Sequence, residues 1–472
     1  MKCKAILFSV VLMIAAVIGF MVPVKTSQAV ETPKVIVDPQ LMKIFLTPVE
    51  VIITFKGSEG VTSEQLSILM NAGITKGLSL KSLPMAGVLA TKSQIDKLSQ
   101  SDQIQSIYLN KKLQFENADS TDLTGVDEVR TDDTMRKLNG GLPVTGKGIG
   151  IVINDSGVDG THKDLEYGSH LVQNVLGSTN LNAVDTLLPI TYTEGVPNTD
   201  NNSGHGTHVA GIVGGTGAMS GGKFEGAAPG ASLIGYGSGA ALAMLDVIGG
   251  FDYALTHQQQ YNIRVITNSW GDTSDSGTDF DPANPINIAT KRLFDRGIVT
   301  VFSAGNSGPN NSTISGNYKK APWVVTVAAG DKTGKLADFS SRGEEGRGGT
   351  VNIDGQSWKW EDRPTVTSPG VDIISTRVLS PIPILGAVDD ANYIEPAYLP
   401  YYTTMSGTSM AAPHVAGIIG LMLEANPLLS PSEIKSILES TASFMGDYQS
   451  WETGAGYVNA YKAVDASFKK KK

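Results

Sequence analysis

Apolar positions fall into three patterns along this chain. The first is an unbroken apolar run from Ala5 to about Val24, preceded by Lys2 and Lys4. Ser27 and Ala29 then place small residues ahead of a cleavage point, so residues 1–29 are expected to be a removable export signal. The run is also long enough to span a bilayer, and an uncleaved anchor is the alternative. The second pattern, residues 30–117, mixes short strand-like and helix-like stretches. Val49–Phe55 (VEVIITF) is β-branched and apolar, and Met85–Ala90 and Ile104–Leu109 read the same way. Thr62–Ile74 opens on a capping signature, Thr62-Ser63-Glu64-Gln65, and repeats Leu66, Leu69 and Met70 at helical spacing. Lys92–Leu98 predicts a second helix. Strand, helix, strand, helix, strand suits a small α+β ferredoxin-like unit. Glu116–Thr134 is crowded with Asp, Ser and Thr and predicts a linker or exposed loop, within a connecting stretch 118–145.

The third pattern runs from Gly146 to about residue 468. Ile149–Asn154, Arg264–Thr267, Ile298–Ala304 and Trp323–Ala329 predict buried strands. Between them, His205–Gly214, Leu242–Ala254 and Ile286–Arg296 predict helices, the last closed by Gly297. A further helix follows Ser409 through Val415, Ile418, Ile419 and Met422, and stops at Asn426-Pro427. Such alternation predicts an α/β domain, a parallel sheet with helices on both faces. Its functional residues should lie at the carboxyl ends of strands. Lys469–Lys472 reads as a solvated basic tail.

Charge and cysteine content narrow the function. The formal net charge of −9 disfavours nucleic acid as a partner. Cys3, the single cysteine, lies inside the export signal, so the remaining chain has neither disulfide nor thiol chemistry. The 53 glycines imply many tight turns and close backbone approaches.

Four segments carry candidate chemistry. Asp155 follows an apolar strand and precedes Ser156-Gly157-Val158-Asp159-Gly160. It could simply cap a turn, but a buried carboxylate needs a partner, and a histidine N–H suits it. Asp159 and Asp164 are rivals by residue type; the strand end favours Asp155. His205 stands in Ser203-Gly204-His205-Gly206-Thr207-His208. A His-x-x-His pair suggests metal, yet the glutamate of a zinc-peptidase helix is missing and no cysteine helps. His208 then reads as a structural histidine. Ser409 lies in Gly407-Thr408-Ser409-Met410-Ala411-Ala412-Pro413. A serine at a helix start is ordinarily a cap, but the small flanking residues admit a substrate backbone, and the helix start offers N–H donors. Asn306, in Ser303-Ala304-Gly305-Asn306-Ser307-Gly308, is either a turn residue or an amide donor to an oxyanion.

Taken together, the four segments resemble the motifs of the subtilisin-like serine peptidases (subtilases), including the chain order Asp, His, Ser. The resemblance also covers Gly226–Ala231 (GAAPGA), Asp338–Gly343 (DFSSRG) and Gly454–Val464 (GAGYVNAYKAV). It implies a secreted endopeptidase acting on proteins and peptides, without an organic cofactor and without stable membrane association after signal removal. Asp155, His205 and Ser409 would be the triad and Asn306 the oxyanion donor. An exopeptidase, or a non-catalytic binding protein on the same fold, remains the alternative. Residues 30–117 resemble the family's propeptide, a folding aid and temporary inhibitor. The substrate would pair as an added strand between Gly237-Ser238-Gly239 and Ser269-Trp270-Gly271, with Ala304, Gly305 and Gly316 walling the P1 pocket. These walls are small and Ser307 brings no charge to the rim, so a large apolar or aromatic P1 residue is expected. Asp164, in Thr161-His162-Lys163-Asp164-Leu165, matches a calcium ligand of the family, while Gly217–Gly226, where its usual calcium loop would lie, is poor in acidic and Asn ligands. An extra stretch, Glu344–Asp362, has no counterpart.

Overall fold

The computed structural model describes residues 35–38, 41–42, 47–57, 61–79, 84–109, 119–177, 192–201, 203–238, 244–379 and 390–470. The export-signal region and Gly239 lie outside these residues. The chain divides into two compact units, Met1–Gln114 and Phe115–Lys472. Among the described residues no helix is long and apolar enough to cross a membrane.

The N-terminal unit is a five-stranded mixed sheet with two helices. Its strand order is Ile36–Val37, Ile104–Leu109, Val49–Phe55, Met85–Ala90, Gly77–Ser79, of which the first pair is parallel and the rest antiparallel. Val51, Ile53 and Phe55 are buried, the period-two face that the run predicts. Ser63–Asn71 and Lys92–Leu98 each start on a complete capping box, Thr62 with Gln65 and Thr91 with Gln94. The first helix ends at Asn71 rather than Ile74 because Gly73 turns left-handed (φ 83°) and Ile74 folds into the core.

The second unit holds a seven-stranded parallel sheet. Its order is Val366–Pro369, Val325–Gly330, Val299–Ser303, Ile263–Asn268, Gly150–Asp155, Ser232–Gly237, Leu171–Leu176. One core covers one face: Ile151, Ile153, Val265 and Val301 pack with Val209, Val213, Val415 and Ile419 from the helices His205–Gly214 and Thr408–Ala425. The opposite face buries Val152, Ile234, Ile266 and Phe302 with Phe251, Ala254 and Leu293 from Met244–Thr256 and Pro285–Asp295. Alternate residues of each strand thus supply the two cores. From the junction of Gly150–Asp155 and Ile263–Asn268 the strands follow chain order toward one edge, whereas toward the other Leu171–Leu176 takes the edge and Ser232–Gly237 inserts beside Gly150–Asp155. That junction is the switch point where such sheets form clefts at their carboxyl ends.

Two stretches differ from expectation. Residues 119–138, expected to be largely linker, form three short helices, Asp119–Thr124, Val126–Thr131 and Asp133–Leu138, with Val126, Val129 and Met135 buried in the first of these cores. Apolar residues this widely spaced among acidic ones escape a composition reading, yet suffice to dock one face of a short helix. The extra stretch Glu344–Asp362 is an antiparallel hairpin, Gly348–Ile353 with Gln356–Glu361. Trp358 and Trp360 fasten it: Trp358 meets Trp323 edge-on at 5.5 Å, and Trp360 lies 6.4 Å from Phe280. A buried ion pair between Lys320 and Asp362 at 3.1 Å closes its base.

Candidate active site

The Gly150–Asp155 strand is buried throughout, and its last residue delivers a carboxylate to the sheet end. Asp155 Oδ1 accepts from the Ser156 N–H at 2.8 Å and lies 2.7 Å from His205 Nδ1. His205 begins its helix after Gly204, which adopts the left-handed φ of 76°. Gly206 has to be glycine for a different reason. A Cβ there would strike the Gly157 carbonyl and crowd the Asp155 side chain, so the helix start lies directly against the Asp155 turn. Ser156 Oγ accepts from the Gly206 N–H at 2.9 Å across this contact.

Asp200, which sequence reasoning did not single out, ties the same helix start down. Its carboxylate accepts from the Gly204 N–H (3.1 Å), the Thr207 N–H (3.0 Å) and Thr207 Oγ1 (2.6 Å). Burial pushes the Asp200 carboxyl up, against the lowering effect of those bonds. Burial acts on His205 in the opposite sense, pulling it down. The charge and hydrogen bond of Asp155, with Asp200 behind, outweigh this and leave the imidazole above its ordinary value.

Ser409 is the second residue of the helix Thr408–Ala425. Its Oγ donates to the Ser269 carbonyl at 3.2 Å and so is engaged there rather than with His205. In return, Ser269 Oγ donates to the Ser409 carbonyl at 2.9 Å. That second bond has a sequence cause. Pro413, four residues on, has no N–H, so the Ser409 carbonyl lacks its helical partner and Ser269 fills the gap. The Ser409 N–H lies in the first helical turn, where donors have no helical acceptor.

Asn306 follows the strand Val299–Ser303. Its Oδ1 accepts from both the N–H and Oγ1 of Thr408, each at 2.9 Å. This fixes the amide orientation and turns Nδ2 the other way. A Cβ placed on Gly407 would lie 3.2 Å from Asn306 Nδ2 and 3.6 Å from the Ser409 N. The two donors therefore flank one small space beside the nucleophile candidate, as an oxyanion site requires.

The expected substrate-contacting residues fare differently. Ser269-Trp270-Gly271 leaves the Ile263–Asn268 strand alongside Ser409. The Trp270 ring turns inward onto Phe302 (5.4 Å) and donates to the Asn154 carbonyl at 2.9 Å, leaving its main chain toward the cleft. Ala304, Gly305 and Gly316 gather on the other side, where the Ser315 N–H donates to the Ala304 carbonyl at 3.2 Å. Gly237 and Ser238 need correction. Gly237 is the last residue of an interior strand; its carbonyl accepts from the Gly177 N–H at 2.9 Å, and the Ser238 N–H donates to Asp155 at 2.9 Å. Polar groups committed to the sheet cannot pair with a substrate, so an edge on this side begins beyond Ser238.

The other histidines are held by the fold. His208 Nε2 faces the Ile373 and Thr403 carbonyls at 3.0 and 3.1 Å, and burial pushes the ring down to about 3. His414 Nε2 meets Thr124 Oγ1 at 2.8 Å, and burial pushes it down to about 4. Asp164, expected as a calcium ligand, is buried and held by protein donors. Its Oδ1 accepts from the Met219 N–H at 2.9 Å and its Oδ2 from the Tyr402 hydroxyl at 2.7 Å, so each oxygen already has a protein donor. Among the described residues no three His, Cys, Asp or Glu side chains are grouped to hold a metal ion.

Comparison with known proteins agrees with this geometry. A model of the subtilase family matches residues 146–466. Serine protease AprX of Bacillus subtilis (strain 168) is 31% identical over 385 residues, covering 78% of this chain and 76% of the relative. Subtilisin DY of Bacillus licheniformis is 30% identical over 326 residues, covering 68% and 92%. Among solved structures, the S41 psychrophilic protease matches with a TM-score of 0.51 at 26% identity, over 71% of this chain and 97% of that one.

Proposed function

Since this chain belongs to the subtilase family and is a subtilisin-like serine endopeptidase, we propose that it is exported and cuts internal peptide bonds by acyl transfer through Asp155, His205 and Ser409. The observation that carries this reading is the 2.7 Å contact of His205 Nδ1 with a buried Asp155, on the helix start that abuts the Asp155 turn. Asp155 keeps the proton on Nδ1, so Nε2 is free to take the Ser409 proton. Ser409 Oγ leaves the Ser269 carbonyl and attacks the substrate carbonyl. Asn306 Nδ2 and the Ser409 N–H stabilise the oxyanion, His205 protonates the leaving amine, and water releases the acyl group.

A fluorophosphonate probe tests the assignment. It should label the wild type at one site and leave Ser409→Ala unlabelled; equal labelling of both would remove Ser409 from the mechanism. Asn306→Leu should lower kcat by about 10²- to 10³-fold with little change in KM, since the lost donor acts on charge that appears only in the transition state. A matching rise in KM with kcat intact would assign Asn306 to ground-state binding instead.

The N-terminal unit is read as a propeptide that aids folding, inhibits the enzyme temporarily and is then removed by the enzyme itself. A parallel sheet assembled from long-range contacts folds slowly, which gives such an aid its value. The helix Asp119–Thr124 is the first described element of the second unit. Thr124 of that helix is buried against His414, so a cut at or beyond Asp119 would require unwinding a docked helix. The cut, expected between about Leu113 and Thr124, should therefore fall before Asp119. Ser409→Ala should accumulate with residues 30–117 still attached. Normal maturation of Ser409→Ala in a host lacking extracellular proteases would rule out self-processing.

A further inference from the structure

Two main-chain segments leave neighbouring parallel strands beside Ser409: Ser269–Gly271 and Ala304–Asn306. The first exchanges hydrogen bonds with Ser409, and Gly305 of the second donates to Thr408 Oγ1 at 3.0 Å. A side chain next to a carbonyl held at Ser409 therefore enters between these segments. Both carry glycine there. A side chain on Gly271 would run into Lys319 Nζ and Ser315 Oγ, and a Cβ on Gly305 would lie 2.7 Å from Ser315 Oγ. The two missing side chains both point at Ser315 Oγ, and Lys319 Nζ lies beside it on the Gly271 side.

Lys319 is an unusual residue to find there. It is 2% exposed, among the largest fully enclosed side chains of the protein. Its backbone is fixed in the short turn Asn317–Lys320, where the Thr326 hydroxyl donates to its carbonyl at 2.6 Å. Its ammonium donates to Ser315 Oγ at 3.0 Å, which uses one of its three N–H groups. The adjacent Lys320 has a buried carboxylate, Asp362, but no carboxylate among the described residues lies within 4.0 Å of Lys319. Burial pushes the Lys319 ammonium down to about 7. A buried cation is costly without a counter-ion, and this one packs against Gly271, in the segment that exchanges hydrogen bonds with Ser409.

We infer that Lys319 is the specificity-determining residue of the P1 pocket and that it selects substrates with a carboxylate, glutamate or aspartate, immediately before the cut bond. The inference rests on the peptidase reading above and names its substrate class. It departs from the apolar preference that the glycine walls alone suggest, because glycines set the width of a pocket while the residue behind them sets its charge. The incoming carboxylate accepts from Lys319 Nζ and Ser315 Oγ, so the ion pair forms only in the complex. Glutamine, of the same shape, leaves the ammonium without its counter-charge.

The test uses mature enzyme and fluorogenic peptides that differ only at P1: Glu, Asp, Gln, Leu, Phe and Lys. Glu should exceed Gln in kcat/KM by about tenfold to a hundredfold, the range for a hydrogen bond to a charged group. Lys319→Met should erase that difference, read as the ratio of kcat/KM for Glu over Gln within each folded enzyme, with a melting curve as the folding control. If Lys319→Met fails to fold, the wild-type comparison still decides, as does inactivation by phosphonate esters carrying Glu or Gln at P1. Cleavage after Leu or Phe with no advantage of Glu over Gln would overturn the inference and leave Lys319 as a pocket filler. Absence of labelling and of cleavage at every P1 would instead overturn the peptidase reading.

Discussion

Ser409→Ala is expected to lower kcat by about 10⁶-fold, and His205→Ala by about as much, the size of loss known for subtilisin. Neither substitution should unfold the protein. Ser409 makes two hydrogen bonds to Ser269, and only the one from its Oγ is lost on truncation; the bond from Ser269 Oγ to the Ser409 carbonyl remains. The His205 side chain is 22% exposed and bonds only to Asp155, so its removal opens no large cavity. The double variant should be no worse than either single one, because a nucleophile without its base and a base without its nucleophile are equally idle. Turnover by purified single and double variants, with melting curves as the folding control, measures this. A double-variant loss equal to the product of the single losses would mean that the two side chains act independently.

Asp155→Asn should cost about 10⁴-fold in kcat while preserving the geometry. An amide can donate to His205 Nδ1, which then accepts, and the proton moves to Nε2 where it blocks proton removal from Ser409. The charge has a second, separable effect. Asp155 holds the His205 pKa above its ordinary value despite burial, and activity requires the neutral imidazole. The acid limb of kcat/KM should therefore lie above the usual histidine range in the wild type. It should move to lower pH in Asp155→Asn as the raising charge is removed. An unchanged acid limb would assign that titration to another group.

The sequence was most informative where chemistry depends on local conformation. Asp155 at a strand end, His205 after Gly204, Asn306 in a glycine-rich turn and Ser409 beside Gly407 are legible because each requires a particular backbone within a few residues of itself. The capping box at Thr62 and the apolar period of Val49–Phe55 are legible for the same reason. Boundaries moved by a residue or two where a single glycine, such as Gly73, decided the end. The strands Leu171–Leu176 and Ser232–Gly237 were less visible, since polar Gln173 and Asn174 interrupt one and Gly235 interrupts the other. Asn174 is tolerated in the sheet because its side chain donates to the Val158 carbonyl at 2.9 Å and accepts from Thr199 Oγ1 at 2.9 Å.

Sequence alone determined the α/β class and brought out the candidate triad and the candidate oxyanion amide. Tertiary structure alone decided which charges have partners. Asp164 has the sequence setting of a cation ligand, and a tyrosine hydroxyl far along the chain, Tyr402, donates to one of its oxygens. Gly237 has the setting of an open edge, but strands on both sides consume its hydrogen bonds. Lys319 and Lys320 carry no sequence signal, yet both are buried, Lys320 against Asp362 and Lys319 behind Gly271. Spacing along the chain encodes backbone shape over a few residues. The free energy of a buried charge depends instead on every atom within a few ångströms, and the fold gathers those atoms from distant segments.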